Sequence, residues 1–278
     1  MMKTVALPSG KRVPALGIGT WKMGENSRLR SREIAALRRA IDLGMTVIDT
    51  AEMYGEGAAE ELIGEAIMGR RQEVFLVSKV YPHNATRRGT ADACERSLRR
   101  LGIDSIDLYL LHWRGSVPLS ETLDALAALQ ASGKIGSYGV SNFDTSDMEE
   151  AWALDQGRRI AVNQILYNLT RRGPEIDLLP WLRSRGAPVM AYSPIEQGRL
   201  LRNPKLAALA QQRGATPAQI ALAWLLAQQD VLVIPKAGEL GHVDENRAAA
   251  DIVLTREDLS ALDIAFPRPL KRKPLEML

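Results

Sequence analysis

The chain has 278 residues, 46% hydrophobic and 25% charged, near the averages for soluble globular domains, which excludes disordered and fibrous classes. Thirty-six Lys and Arg against 33 Asp and Glu leave a net charge of +3, too small and too dispersed for a nucleic-acid-binding surface. A lone cysteine, Cys94, excludes an internal disulfide and fits the reducing cytoplasm, while no apolar run nears the roughly 20 residues that span a bilayer.

In chain order, Val5–Val13 reads as a small hairpin turning at Pro-Ser-Gly-Lys. Eight short apolar runs follow, at 16–19, 46–50, 74–79, 106–112, 137–141, 161–166, 188–193 and 231–236, and each reads as a strand. Between them lie amphipathic segments that read as helices, among them 32–43, 60–68, 91–101, 120–131 and 177–185. Ser31 stands where an N-cap is expected, and Gly44, Gly102, Gly133 and Gly186 stand where helices end. Runs such as VFLVSK and VLVIPK are apolar almost throughout, as strands covered on both faces require. Eight of them with crossover helices, and no Gly/Pro/Ser-rich linker, predict one (β/α)8 barrel domain over residues 1–278 with an N-terminal β-hairpin. A doubly wound sheet would want a dinucleotide fingerprint, and the glycines at 17, 19 and 24 have the wrong spacing. They are expected instead to let the backbone turn out of the first strand.

The polar residues fall at strand ends: Asp49, Lys79, His112, Ser141 with Asn142, Gln164, Tyr192 and Lys236. A barrel brings such ends to one rim, where active sites form. Tyr54, five residues beyond Asp49, can reach the same mouth. A lysine cation beside a phenol lowers its pKa from about 10, and a carboxylate keeps that lysine charged and oriented. Asp49, Lys79 and Tyr54 therefore read as a tuned general acid, with His112 placed to orient a carbonyl oxygen. That set suits carbonyl reduction, hydride to carbon and proton to oxygen. Taken singly, each residue has a plainer reading: a rim ion pair, a buried histidine, a turn tyrosine, and packing roles for Trp21, Met53 and Trp113. The three histidines and Cys94 show no metal-ligand spacing, so no metal is expected.

Together, LGIGTW, IDTAEMYG, VSKV, LLHW, GVSNF, NQILY, AYSP, IPKA and DEN resemble, in order, the aldo-keto reductases, most closely a bacterial subgroup that includes methylglyoxal reductases. The resemblance implies an NADPH-dependent oxidoreductase with Asp49, Tyr54, Lys79 and His112 as the catalytic tetrad and Tyr54 as proton donor. It implies that Ser141, Asn142 and Gln164 hold the nicotinamide carboxamide and that Tyr192 stacks on its ring. Gly19 and Thr20 would approach the cofactor, Ser193 and Ile195 flank its pyrophosphate, and Lys236, His242, Glu245 and Asn246 surround its adenosine end. Ala237 replaces a phosphate-binding serine of the family and His242 an arginine, so NADH use is expected beside NADPH. Trp21, Met53 and Trp113 would bound an open-rimmed pocket for small aldehydes and dicarbonyls, because the segment after Lys236 lacks the long loop of some animal members. A monomer is expected by the same resemblance. Two other classes compete: a Schiff-base lyase using Lys79 or Lys236, which leaves Tyr54, Ser141-Asn142 and Gln164 unexplained, and a non-catalytic nicotinamide-binding subunit, which need not keep the whole tetrad.

Overall fold

Short β-branched and aliphatic runs, each followed by a segment of helical period, fold into alternating strands and helices in the computed structural model, which describes residues 2–278. The hairpin comes first: β1 (Thr4–Ala6) pairs antiparallel with β2 (Arg12–Pro14), Val5 opposite Val13, around a turn in which Gly10 takes φ 84°. The eight barrel strands are β3 (Ile18–Gly19), β4 (Val47–Asp49), β5 (Phe75–Val80), β6 (Ile106–Leu111), β7 (Ile135–Ser141), β8 (Asn163–Leu166), β9 (Val189–Tyr192) and β10 (Val231–Val233). They pair in parallel, each with its sequence neighbour, and parallel bridges Leu16–Val233 and Gly19–Lys236 close β3 onto the β10 side. The (β/α)8 barrel and its hairpin are as the sequence predicts.

Gly17 and Gly19 serve close strand packing, to β4 and to the β10 side respectively, rather than a turn. A Cβ at Gly17 would lie 2.5 Å from the Val47 carbonyl oxygen, and one at Gly19 2.9 Å from that of Ile234. Neighbouring strands approach there more closely than a side chain allows, which corrects the expectation of a turning role.

Ten α-helices surround the barrel: α1 (Arg30–Asp42), α2 (Ala58–Ala66), α3 (Arg87–Leu101), α4 (Leu119–Ala131), α5 (Thr145–Ala153), α6 (Leu178–Arg183), α7 (Pro204–Gln212), α8 (Pro217–Ala227), α9 (Leu240–Ala248) and α10 (Arg256–Ala265), counted among the described residues. Gly44, Gly102, Gly133 and Gly186 all follow helices with φ between 63° and 81°, the left-handed geometry that ends a helix. Ser31 lies inside α1. The cap there is Asn26, whose side chain accepts from the Arg28 amide ahead of a single 3₁₀ turn leading into the helix.

Alternation along β5 shows how the layers are addressed. Ser78 turns outward and donates to Glu60 of α2 at 2.6 Å, while the next side chain, Lys79, turns inward. At the opposite end of the barrel, Lys3 donates to the carbonyls of Leu226 (2.8 Å) and Gln228 (2.6 Å), closing the C-terminal end of α8. Cys94 is buried in α3 as a small apolar residue.

Candidate active site

Asp49 ends β4 and Lys79 stands one residue from the end of β5, so the barrel register sets them side by side at the strand C-termini. Both are buried. An ammonium has three protons to place, and all three are placed here: 2.8 Å to Asp49 Oδ2, 2.7 Å to the Thr50 carbonyl and 3.2 Å to the Tyr54 hydroxyl. Burial alone pulls the Lys79 pKa down, but Asp49 and Tyr54 outweigh it and the pKa ends raised, so the lysine stays charged.

Tyr54 follows β4 in a turn where Glu56, Gly55 and Gly57 all have positive φ. Its pKa is raised, against the expectation, because burial outweighs the nearby ammonium. The phenol is therefore fully protonated at neutral pH. Since Lys79 donates to its oxygen, the hydroxyl proton is left to point elsewhere.

His112 directly follows β6, with its ring 5.9 Å from that of Tyr54 in an edge-on arrangement. Burial, then the Lys79 charge, lowers its pKa to about 2, so the imidazole is neutral. Its buried Nδ1 has no hydrogen-bond partner among the described residues. Among those residues no hydrogen bond engages the other ring nitrogen, Nε2, either, and it is Nε2 that is left for a ligand where His112 lines the cavity.

These groups open onto a cavity of about 630 Å³, within the usual range for ligand sites. Asp49, Tyr54 and His112 line it, while Lys79 lies buried behind them. Trp21, Met53 and Trp113 form apolar wall, and Tyr81 braces Trp113 edge-on at 5.0 Å. Gly19 and Thr20 line the side nearest the closing seam. Ser141, Asn142, Gln164 and Tyr192 occupy the far wall, and Ser193, Ile195 and the exposed Lys236 continue from it.

Polar pairing defines what that wall can hold. Gln164 Nε2 donates to Asp49 Oδ1 at 2.7 Å, which leaves its carbonyl oxygen as an acceptor. Ser141 Oγ donates to the backbone carbonyl of Gln164 at 2.9 Å. Asn142, at φ 60°, donates to the His112 carbonyl and to Ser141 Oγ, both at 3.1 Å, and accepts from the Tyr192 hydroxyl at 2.9 Å. Asn142 thus also braces Tyr192 against the backbone of His112.

Three predicted residues are not brought into the cavity. His242, Glu245 and Asn246 lie on α9, outside the lining, and Glu245 accepts from Thr216 Oγ1 at the start of α8. Conversely, Lys22, Gln197, Met277 and Leu278 line the cavity and were not predicted. Lys22 has a signal in its adjacency to Trp21. Met277 and Leu278 have none, because only long-range pairing brings residues 271–278 back across the mouth. Arg272 pairs with Asp177 at 2.9 Å, and Glu276 pairs with Arg171. The rim is therefore partly closed, which corrects the expectation of an open one.

Residues 15–266 match the model of the aldo/keto reductase family. This chain belongs to that family. Among its relatives, the methylglyoxal reductase YeaE of Escherichia coli is 48% identical, each chain covered over 99% of its length. The glyoxal reductase of Bacillus subtilis is 35% identical, over 94% of this chain and 91% of its own. A crystal structure of an aldo/keto reductase from Klebsiella pneumoniae, in complex with NADP and acetate, superposes with a TM-score of 0.97 at 50% identity, both chains covered completely. A second structure of an aldo-keto reductase from that organism, in complex with NADPH, gives a TM-score of 0.98. In this aldo/keto reductase the matched region takes in every strand of the barrel together with Asp49, Tyr54, Lys79 and His112.

Proposed function

We propose that this aldo/keto reductase reduces small aldehydes and dicarbonyls of the methylglyoxal type to alcohols, with NADPH as reductant and Tyr54 as proton donor. The observation that carries the assignment is the threefold use of Lys79. Its protons go to Asp49, Thr50 and Tyr54, so the phenol oxygen is already hydrogen-bonded as an acceptor and its own proton is available to the cavity.

The residues present fit a nicotinamide. The Gln164 side-chain oxygen Oε1, Ser141 Oγ and Asn142 Oδ1 can accept from a carboxamide, and the Tyr192 ring offers a flat apolar surface. Lys22 and Lys236 supply positive charge to phosphates on the same side. When bound, the reduced coenzyme supplies a hydride to the carbonyl carbon. The chain does the rest. Neutral His112 donates to the carbonyl oxygen and holds it against Tyr54. Tyr54 gives its proton to that oxygen as negative charge develops, and Lys79 stabilises the phenolate left behind. Trp21, Met53 and Trp113 give the cavity an apolar wall suited to small carbonyls. With Lys236 present and no arginine at 242, NADPH is the principal coenzyme and NADH a second one. A cytoplasmic setting fits the lone buried cysteine, and the family resemblance carries the expectation of a monomer.

The test follows nicotinamide absorbance with methylglyoxal and NADPH or NADH. Tyr54→Phe is expected to lower kcat by about 10² to 10⁴-fold, the range for a lost general acid, while NADPH still binds. A variant with wild-type turnover would remove Tyr54 from the reaction. His242→Arg is expected to raise the preference for NADPH, and an unchanged coenzyme ratio would show that position 242 does not meet the 2′-phosphate.

A further inference from the structure

Between β9 and α7 the backbone takes four left-handed residues within six positions: Ser193 (φ 47°), Glu196 (53°), Gln197 (53°) and Gly198 (86°). Three of them carry side chains, which rarely adopt such angles unless neighbours hold them there. What holds them is Glu196, whose side chain is only 6% exposed. Asn168 Nδ2 donates to it at 2.8 Å and to the Ser193 carbonyl at 2.9 Å, Arg199 donates at 3.0 Å, and Arg171 reaches it with Nη2 at 2.7 Å and Nε at 3.1 Å. The remaining arm of the same Arg171 guanidinium, Nη1, pairs with Glu276. Glu276 is followed by Met277 and Leu278 on the cavity wall, which Tyr192 also lines.

One planar cation therefore joins two walls of one cavity. A fork of fixed geometry cannot follow one carboxylate without moving relative to the other. We propose that Arg171 is a positioning residue that couples the 193–198 loop to residues 275–278, so that coenzyme binding orders the wall against which the carbonyl substrate is held. This rests on the reading above, in which that loop takes the coenzyme. Leu275 packs on the core and Arg272 pairs with Asp177, which fixes the near end of the segment and leaves Glu276 to set its far end. Coupling between sites is reciprocal: whatever factor the coenzyme contributes to ordering the segment, the ordered segment contributes to coenzyme affinity.

Hydrogen exchange of residues 271–278, measured with and without saturating NADPH, tests this on the whole protein. In the wild type, NADPH is expected to slow exchange there by about fivefold or more, the low end of site-to-site coupling. Glu276→Gln, at a half-exposed position, is expected to abolish that response and to weaken NADPH binding by the same factor. Arg171→Lys, which keeps the charge and loses the fork, is expected to reduce both. A purely structural contact would change the basal exchange and leave the NADPH-dependent difference intact. NADPH binding with no change in the segment, or a full response in Glu276→Gln, overturns the coupling alone. Failure of the wild type to bind NADPH overturns the functional reading with it.

Discussion

The decisive residues are buried ions and a buried base whose states follow from their neighbours. His112 is neutral because desolvation and Lys79 both oppose its charge, holding its pKa near about 2. In the unfolded chain the same group titrates near 6.5. Between those values the unfolded state carries a proton that the folded state lacks, so stability falls as pH falls below about 6.5, by up to ~1.4 kcal/mol per pH unit. His112→Gln is therefore expected to lose about 2 kcal/mol less stability than the wild type on going from pH 7 to 5, read from urea midpoints. Equal losses would mean that His112 is protonated in the folded protein. On the same grounds, kcat/KM should show no His112 titration between pH 5 and 8. The meeting of Asp49, Lys79 and His112 at one rim was legible in the sequence because each closes an apolar run, and a barrel gives all strand ends one address. The raised pKa of Tyr54 was not, because charge proximity can be guessed from residue types whereas burial depends on the whole fold.

At the scale of elements, the apolar wall of the cavity depends on how adjacent loops are tied. Glu52, two residues before Tyr54, accepts from the Tyr81 amide at 2.8 Å, Asn84 Nδ2 at 3.0 Å and Arg96 at 3.3 Å. It thereby joins the loop after β4 to the loop after β5, whose Tyr81 braces Trp113. Glu52→Ala leaves those donors unpaired and is expected to cost about 1–3 kcal/mol, seen as a lower Tm, and to raise KM more than it lowers kcat. Glu52→Gln keeps one acceptor and should cost less; equal losses in both variants would count against the tie. Helix α8 shows a different limit of sequence reading. PAQIALAWLLA is apolar on almost every side because the helix is buried, so it offers no periodicity. Helix α3 begins at Arg87, four residues before its expected start, because Thr86 caps it by accepting from the Gly89 amide.

Across the whole molecule the two ends of the barrel divide the labour, with chemistry at the strand C-termini and reinforcement at the other end. Lys3 belongs to the second end, holding two carbonyls at the close of α8. Lys3→Met is expected to lower stability by about 1–2 kcal/mol in a denaturant titration while KM and kcat stay at wild-type values. A change in KM would show that the ends are not independent.

The seam at which β3 meets the β10 side also bears on how the protein is made. Gly19 leaves the ribosome early and its bridge partner Lys236 late, so the growing chain can assemble only an open sheet until the last strand emerges. Throughout that interval two strand edges stand without partners, the condition that invites pairing with other chains. The same contact that brings Lys236 to the cavity removes both edges at once. Competence for catalysis and safety from aggregation are thus acquired in a single late step of synthesis.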